Sequence, residues 1–156
     1  MKLFFFDCGT RDPLASTGVL ILRASLGLMM LIGHGWEKWK AYSKLASNWT
    51  VPDIWPLNHL SPQMSLVATI GAEFFAAALL VLGLATRPAA FVLGFAMVVA
   101  AFQVQAGLPW LTPATGGGSK EMALLYLVPC FVLIVTGGGQ WSLDAFVHTE
   151  KRRRRR

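Results

Sequence analysis

Apolar residues along this chain come in four long runs, separated by polar turns of very different length. The first run covers residues 18–36, is interrupted by Arg23, and is closed by His34, Gly35, Glu37 and Lys38. The second covers 63–84, with a single acid, Glu73, inside it. The third, 88–108, contains no charge, and the fourth, 120–137, ends in Gly137-Gly138-Gly139, where a helix has no reason to continue. At ~1.5 Å per residue, a run of ~19 residues reaches ~29 Å, close to the ~30 Å hydrocarbon layer of a bilayer. Residue types that start helices precede three of the runs: Ser61 with Pro62, Thr86, and Ser119. The pattern predicts an all-α polytopic membrane protein with four transmembrane helices in an antiparallel bundle. A chain this short has no outer layer to cover four such helices in water.

The connections set the organisation. Residues 1–17 read as an N-terminal cytoplasmic or interfacial arm, 18–145 as the transmembrane domain and 146–156 as a basic cytoplasmic tail. In the arm the apolar stretch from Leu3 to Phe6 is too short for a signal sequence, and Phe4, Phe5 and Phe6 fit better against a membrane interface. The loop 38–61 is the one long connection, broken by Pro52 and Pro56. Ala85, Thr86 and Arg87 make a turn so tight that the second and third helices must be antiparallel neighbours. Trp36, Trp39, Trp49, Trp55 and Trp110 flank one membrane face and Trp141 the other, as interfacial anchors do.

Composition agrees: 54% of residues are hydrophobic and 14% charged, against about 25% charged in soluble domains. The net charge of +6 lies in the tail, because Lys151 and Arg152 to Arg156 supply it and the remainder is neutral. The basic balance therefore implies a terminus that meets anionic lipid, not a surface that tracks nucleic acid. Four spans place both ends on one side, with Lys2, Arg11, Arg23, Arg87 and the tail facing Lys38, Lys40, Lys44 and Lys120. The positive-inside rule then puts both termini in the cytoplasm. Cys8 and Cys130 lie in unlike settings and suggest neither a disulfide nor a metal site, and the histidines lack metal or haem spacing.

Polar residues inside the spans are the candidates for function. Arg23, Gly27, Met30, His34 and Lys38 recur at intervals of three and four, on one face of the first helix. Ser65, Thr69, Glu73 and Ala76 share a face of the second. Glu73 is ten residues from Gln63 and eleven from Leu84, near the midplane and too short to reach water. Arg23 either snorkels to the inner interface or pairs inside the bundle, and its reach makes a buried pair with Glu73 the preferred expectation. His34, Lys38 and Glu121 fall at similar depth on different helices, so they are expected to converge as an outer-facing pocket above Glu73. There His34 near Glu121 would suit proton relay. Pro129 is expected to free the carbonyl of Leu125 inside the fourth helix.

These residues also carry a resemblance. Leu22-Arg23 and Gly33-His34-Gly35-x-x-Lys38 in the first helix, and Gly71-x-Glu73 in the second, resemble the DoxX family of small four-helix bacterial inner-membrane proteins. So do Leu82-Gly83-Leu84-x-Thr86-Arg87-Pro88, Glu121, and Gly137-Gly138-Gly139-Gln140-Trp141-Ser142-Leu143-Asp144. The resemblance implies an accessory or quinone-interacting subunit of a membrane oxidoreductase, with a membrane or peripheral redox protein as partner and quinone as the cofactor class. On that reading His34, Glu73 and Glu121 are the candidate catalytic residues, and Arg23, Lys38 and Glu73 the candidate cofactor-binding ones. Two other readings stand beside it: a non-catalytic membrane assembly protein whose buried charges only specify its fold, and a small-molecule or ion carrier.

Overall fold

A computed structural model describes residues 9, 10 and 12–147. The expected interfacial arm with Phe4 to Phe6, together with Cys8, Arg11 and the basic tail, lies outside them. Among the described residues there are helices and no strands. Helix α1 is Pro13–Lys40, α2 is Pro62–Leu82 and α3 is Thr86–Val104, each long and apolar enough to cross a membrane. Helix α4, Glu121–Thr136, is shorter and more apolar, and continues through Pro129. The chain is a multi-pass membrane protein.

Helix α1 begins at Pro13 and not at residue 18, because Asp12 caps it: its carboxylate accepts the Ala15 N–H at 2.8 Å, and Pro13 occupies the first turn. At the other end α1 runs to Lys40, past the last apolar residue. Hydropathy marks where lipid lies, whereas the helix persists until its backbone is turned aside at Ala41. Three of the four helices contain one wide, π-type turn: Leu31–Gly35 in α1, Gly71–Ala76 in α2 and Ala100–Val104 in α3.

Glycines set how α1 lies on α2. A Cβ at Gly27 would fall 2.7 Å from Val81 Cγ2 and 2.8 Å from the Ala77 carbonyl oxygen, and one at Gly35 would fall 2.6 Å from the Glu73 carbonyl oxygen. Only residues without side chains allow backbones to approach this closely in a bilayer, where packing contact is the main attraction between helices. These two contacts lock the register of α1 against α2. Met30, Leu80, Leu93, Cys130 and Leu133 fill the interior. Leu28, Ile32, Phe75, Phe91, Phe131 and Val135 face outward and are exposed. Such a coat of apolar side chains belongs in hydrocarbon.

Helix α3 packs closely on α4 and on the C-terminal half of α2, from Gly71 to Leu82, but scarcely along Pro62–Ile70. The N-terminal part of α2 and the C-terminal part of α3 therefore stand apart, and the loop after α1 folds over the gap. The Ser65 hydroxyl ties that loop down by donating to the Thr50 carbonyl at 3.1 Å.

Candidate functional site

All three wide turns border one cavity of about 620 Å³. His34 of the α1 turn, Glu73 of the α2 turn and Ala100 of the α3 turn each contribute to its wall. Wide turns of this type recur at functional sites because they redirect side chains that a regular helix would carry past them. The loop supplies a roof of Trp49, Thr50, Pro52, Leu57 and Leu60, and Tyr126 of α4 closes the side.

The polar groups are gathered in one part of an otherwise apolar space. Glu73 is 7% exposed, and its carboxylate is ion-paired with the Lys38 ammonium. Lys38 also lies 6.0 Å from the centre of the Trp49 ring, whose face favours a cation. His34 meets Tyr126 edge to face, with ring centres 5.6 Å apart. Ser65 and Thr69 continue the polar stripe along α2, and both line the cavity.

The pair expected from depth, Arg23 with Glu73, does not form. Arg23 is 2% exposed and donates to the Leu80 carbonyl at 2.8 Å, to Val81 at 2.6 Å and to Trp141 at 2.6 Å. Those α2 carbonyls lie seven and eight residues beyond Glu73, which places them ~11 Å further along the helix. The register fixed by Gly27 and Gly35 brings Lys38, not Arg23, level with Glu73. Arg23 is held instead at the C-terminal end of α2, where unpaired carbonyls and the helix dipole favour a cation. Asp144, 1% exposed, provides the opposite charge nearby. Gly83 makes room for the guanidinium: its φ is +66°, and a Cβ there would fall 2.7 Å from Arg23 Cζ.

Glu121 is likewise elsewhere. Its carboxylate accepts the Thr112 N–H at 2.8 Å and its own N–H donates to Ser119 Oγ at 3.3 Å, so it orders the connection into α4 and does not line the cavity. Lys120 is buried beside it, 5.1 Å from the centre of the Trp110 ring and 6.0 Å from that of Phe102. The structure thus brings His34, Lys38 and Glu73 together, and sets Arg23 and Glu121 apart from them at opposite ends of the bundle.

The DoxX family model matches residues 18–106, more than half of the chain. The chain belongs to the DoxX family. No curated protein and no solved structure matches it. In this DoxX protein the matched region holds α1 from residue 18 onward, α2, α3 and the ionisable cavity residues His34, Lys38 and Glu73; Glu121 and Asp144 lie beyond it.

Tyr126, and Asp144 of the motif after α4, have places in the structure that their sequence positions did not assign. The Asp144 carboxylate accepts the Ala85 N–H at 2.7 Å and the Thr86 N–H at 2.8 Å, which caps α3 from the far end of the chain. Its own N–H donates to the Gly83 carbonyl at 2.9 Å. A carboxylate just after a glycine-rich helix exit was visible; its target, 59 residues away, was not. Replacing Asp144 with Ala removes both caps and the charge opposite Arg23. A loss of about 1–2 kcal/mol is expected from the cap alone, read as a lower unfolding midpoint in mild detergent, and an unchanged midpoint would show that the cap is dispensable.

Proposed function

We propose that this DoxX protein is a quinone-interacting, accessory subunit of a membrane oxidoreductase. It would lie in a bacterial inner membrane with both termini cytoplasmic, as the distribution of basic residues favours. What carries the reading is the Lys38–Glu73 ion pair set into the wall of a lipid-depth apolar cavity, beside His34. A buried charge pair in a membrane is costly and needs a reason beyond packing, since apolar residues would fill the space at lower cost.

The cavity has the composition of a small-molecule site: an apolar enclosure, within the usual ~300–1,000 Å³, and a few converging polar groups. A quinone fits it chemically, because a flat apolar ring needs apolar walls and its two ring oxygens need donors. Lys38 and His34 are the donors that would hold such oxygens, and Tyr126 and Phe95 would border the ring. When bound, quinone supplies two-electron redox chemistry coupled to proton uptake, with electrons coming from a partner protein's redox centre. Glu73 and His34 are the proton-exchanging groups beside it, and Lys38 holds the Glu73 carboxylate in place.

The test is what accompanies the purified protein. Organic extraction after mild-detergent purification is expected to yield quinone from the wild type and little from Glu73→Gln or His34→Ala. Wild-type protein that neither carries quinone nor binds it when added would overturn this reading. If the same variants lose only a co-purifying protein, the assembly role takes its place.

A further inference from the structure

The cavity is chemically lopsided. Its ionisable groups, Lys38, Glu73 and His34, sit against α1 and under the loop roof, with Ser65, Thr69 and Gln105 towards the roofed end, whereas Ala68 of α2 and Val92, Phe95 and Val99 of α3 make an apolar stretch of wall between those helices. That stretch has exposed residues within the span: Val92 is 46% and Phe95 49% exposed, and Ala68 is exposed on the facing helix, whereas the other exposed lining residues, Thr50, Val104 and Met122, lie at the roofed end. Ala68, Val92 and Phe95 line the cavity as well, so at these positions the interior and the outer surface meet.

Depth identifies what lies outside. Ala68 is six residues into α2, or ~9 Å from its outer end; Val92 and Phe95 are six and nine residues into α3, or ~9–14 Å from its inner end. Side chains exposed that far from both interfaces face hydrocarbon. The slot exists because α3 does not pack along Pro62–Ile70. Towards water the loop lies across the route as a roof, with Pro52 buried, Trp49, Leu57 and Leu60 half-buried, and Thr50 exposed.

A molecule that matches this space has a compact polar head for the closed end and an apolar chain that leaves through the open one. Resting on the quinone reading above, we propose that the ligand enters laterally from the bilayer between α2 and α3, past Ala68, Val92 and Phe95. It binds as a long-tailed quinone, its ring reaching Lys38 and Glu73 while its polyprenyl tail lies in the slot at Ala68, Val92 and Phe95. The slot selects lipid-soluble, tailed molecules over water-soluble ones, because transfer of the tail from lipid to an apolar slot costs little whereas the roofed face offers no comparable path.

Two probes separate this from the underlying reading: a polyprenyl-tailed benzoquinone, and the same ring without a tail. Native mass spectrometry of the full chain released from detergent reads the occupancy of each. Ala68→Trp and Val92→Trp fill the slot from opposite walls at exposed positions, where a larger side chain meets lipid and not the core. Each is expected to lower occupancy by the tailed quinone about tenfold, as lost tail contacts of that size would, while changing that of the bare ring by less than about twofold. Equal loss of both probes, or no loss of either, would overturn the lateral slot and leave the quinone site standing. Wild-type protein that binds neither probe overturns the quinone reading and the slot with it.

Discussion

Replacing Arg23 with Met is expected to destabilise the folded protein by about 3–5 kcal/mol, the range for removing one partner from a buried charge network. Three carbonyls, of Leu80, Val81 and Trp141, lose their donor around a guanidinium that is itself 2% exposed. Asp144 loses its counter-charge while remaining buried. The Met side chain fills much of the volume, so the loss reports the polar network and not a cavity. Arg23→Lys should recover only part of it, because the guanidinium serves α2 from one nitrogen and the segment after α4 from another, a spread that the single nitrogen of a shorter lysine does not match. Thermal unfolding in mild detergent measures the effect. A Met variant as stable as the wild type would show that the network contributes nothing to the fold, and Arg23 would then need a functional account.

The second large effect lies at the other end of α1. Lys38→Met and Glu73→Leu are each expected to cost about 3 kcal/mol, since either leaves an uncompensated charge in the bundle, whereas the double variant should approach wild-type stability. Lys38 keeps 20% of its side chain exposed against 9% for Glu73, so loss of the lysine, which strands the more buried group, should be the worse of the two. Coupling near zero in this double-mutant cycle would mean that the pair is not an energetic unit. All three variants should lose bound quinone, including the stable double one. That dissociation of stability from binding is what distinguishes a functional ion pair from one that merely holds two helices in register.

Much of the fold was legible in the chain. Four apolar runs at spanning length gave four helices, and the three-residue turn gave α2 and α3 as antiparallel neighbours. Helix ends were less legible: Asp12 and Pro13 moved the start of α1 outside its apolar run, because a cap acts on backbone N–H groups that hydropathy does not register. In the site, the helical spacing of His34 with Lys38 and of Ser65, Thr69 and Glu73 placed these residues on faces that do line the cavity. Glu121 misled, since a carboxylate at the head of a helix is equally suited to order the loop before it. The roof over the cavity left no periodic trace, being built from an irregular segment.

Composition and periodicity determined which residues are held away from lipid, because in a bilayer each helix must turn its polar groups toward its neighbours whatever those neighbours are. Which charge meets which was decided only in three dimensions. Gly27 and Gly35 hold α1 in one close-packed register on α2, and because Arg23 and Lys38 stand about four helical turns apart on α1, that register decides which of them meets Glu73. Charge attraction alone would have accepted either cation; backbone contact at two glycines did not.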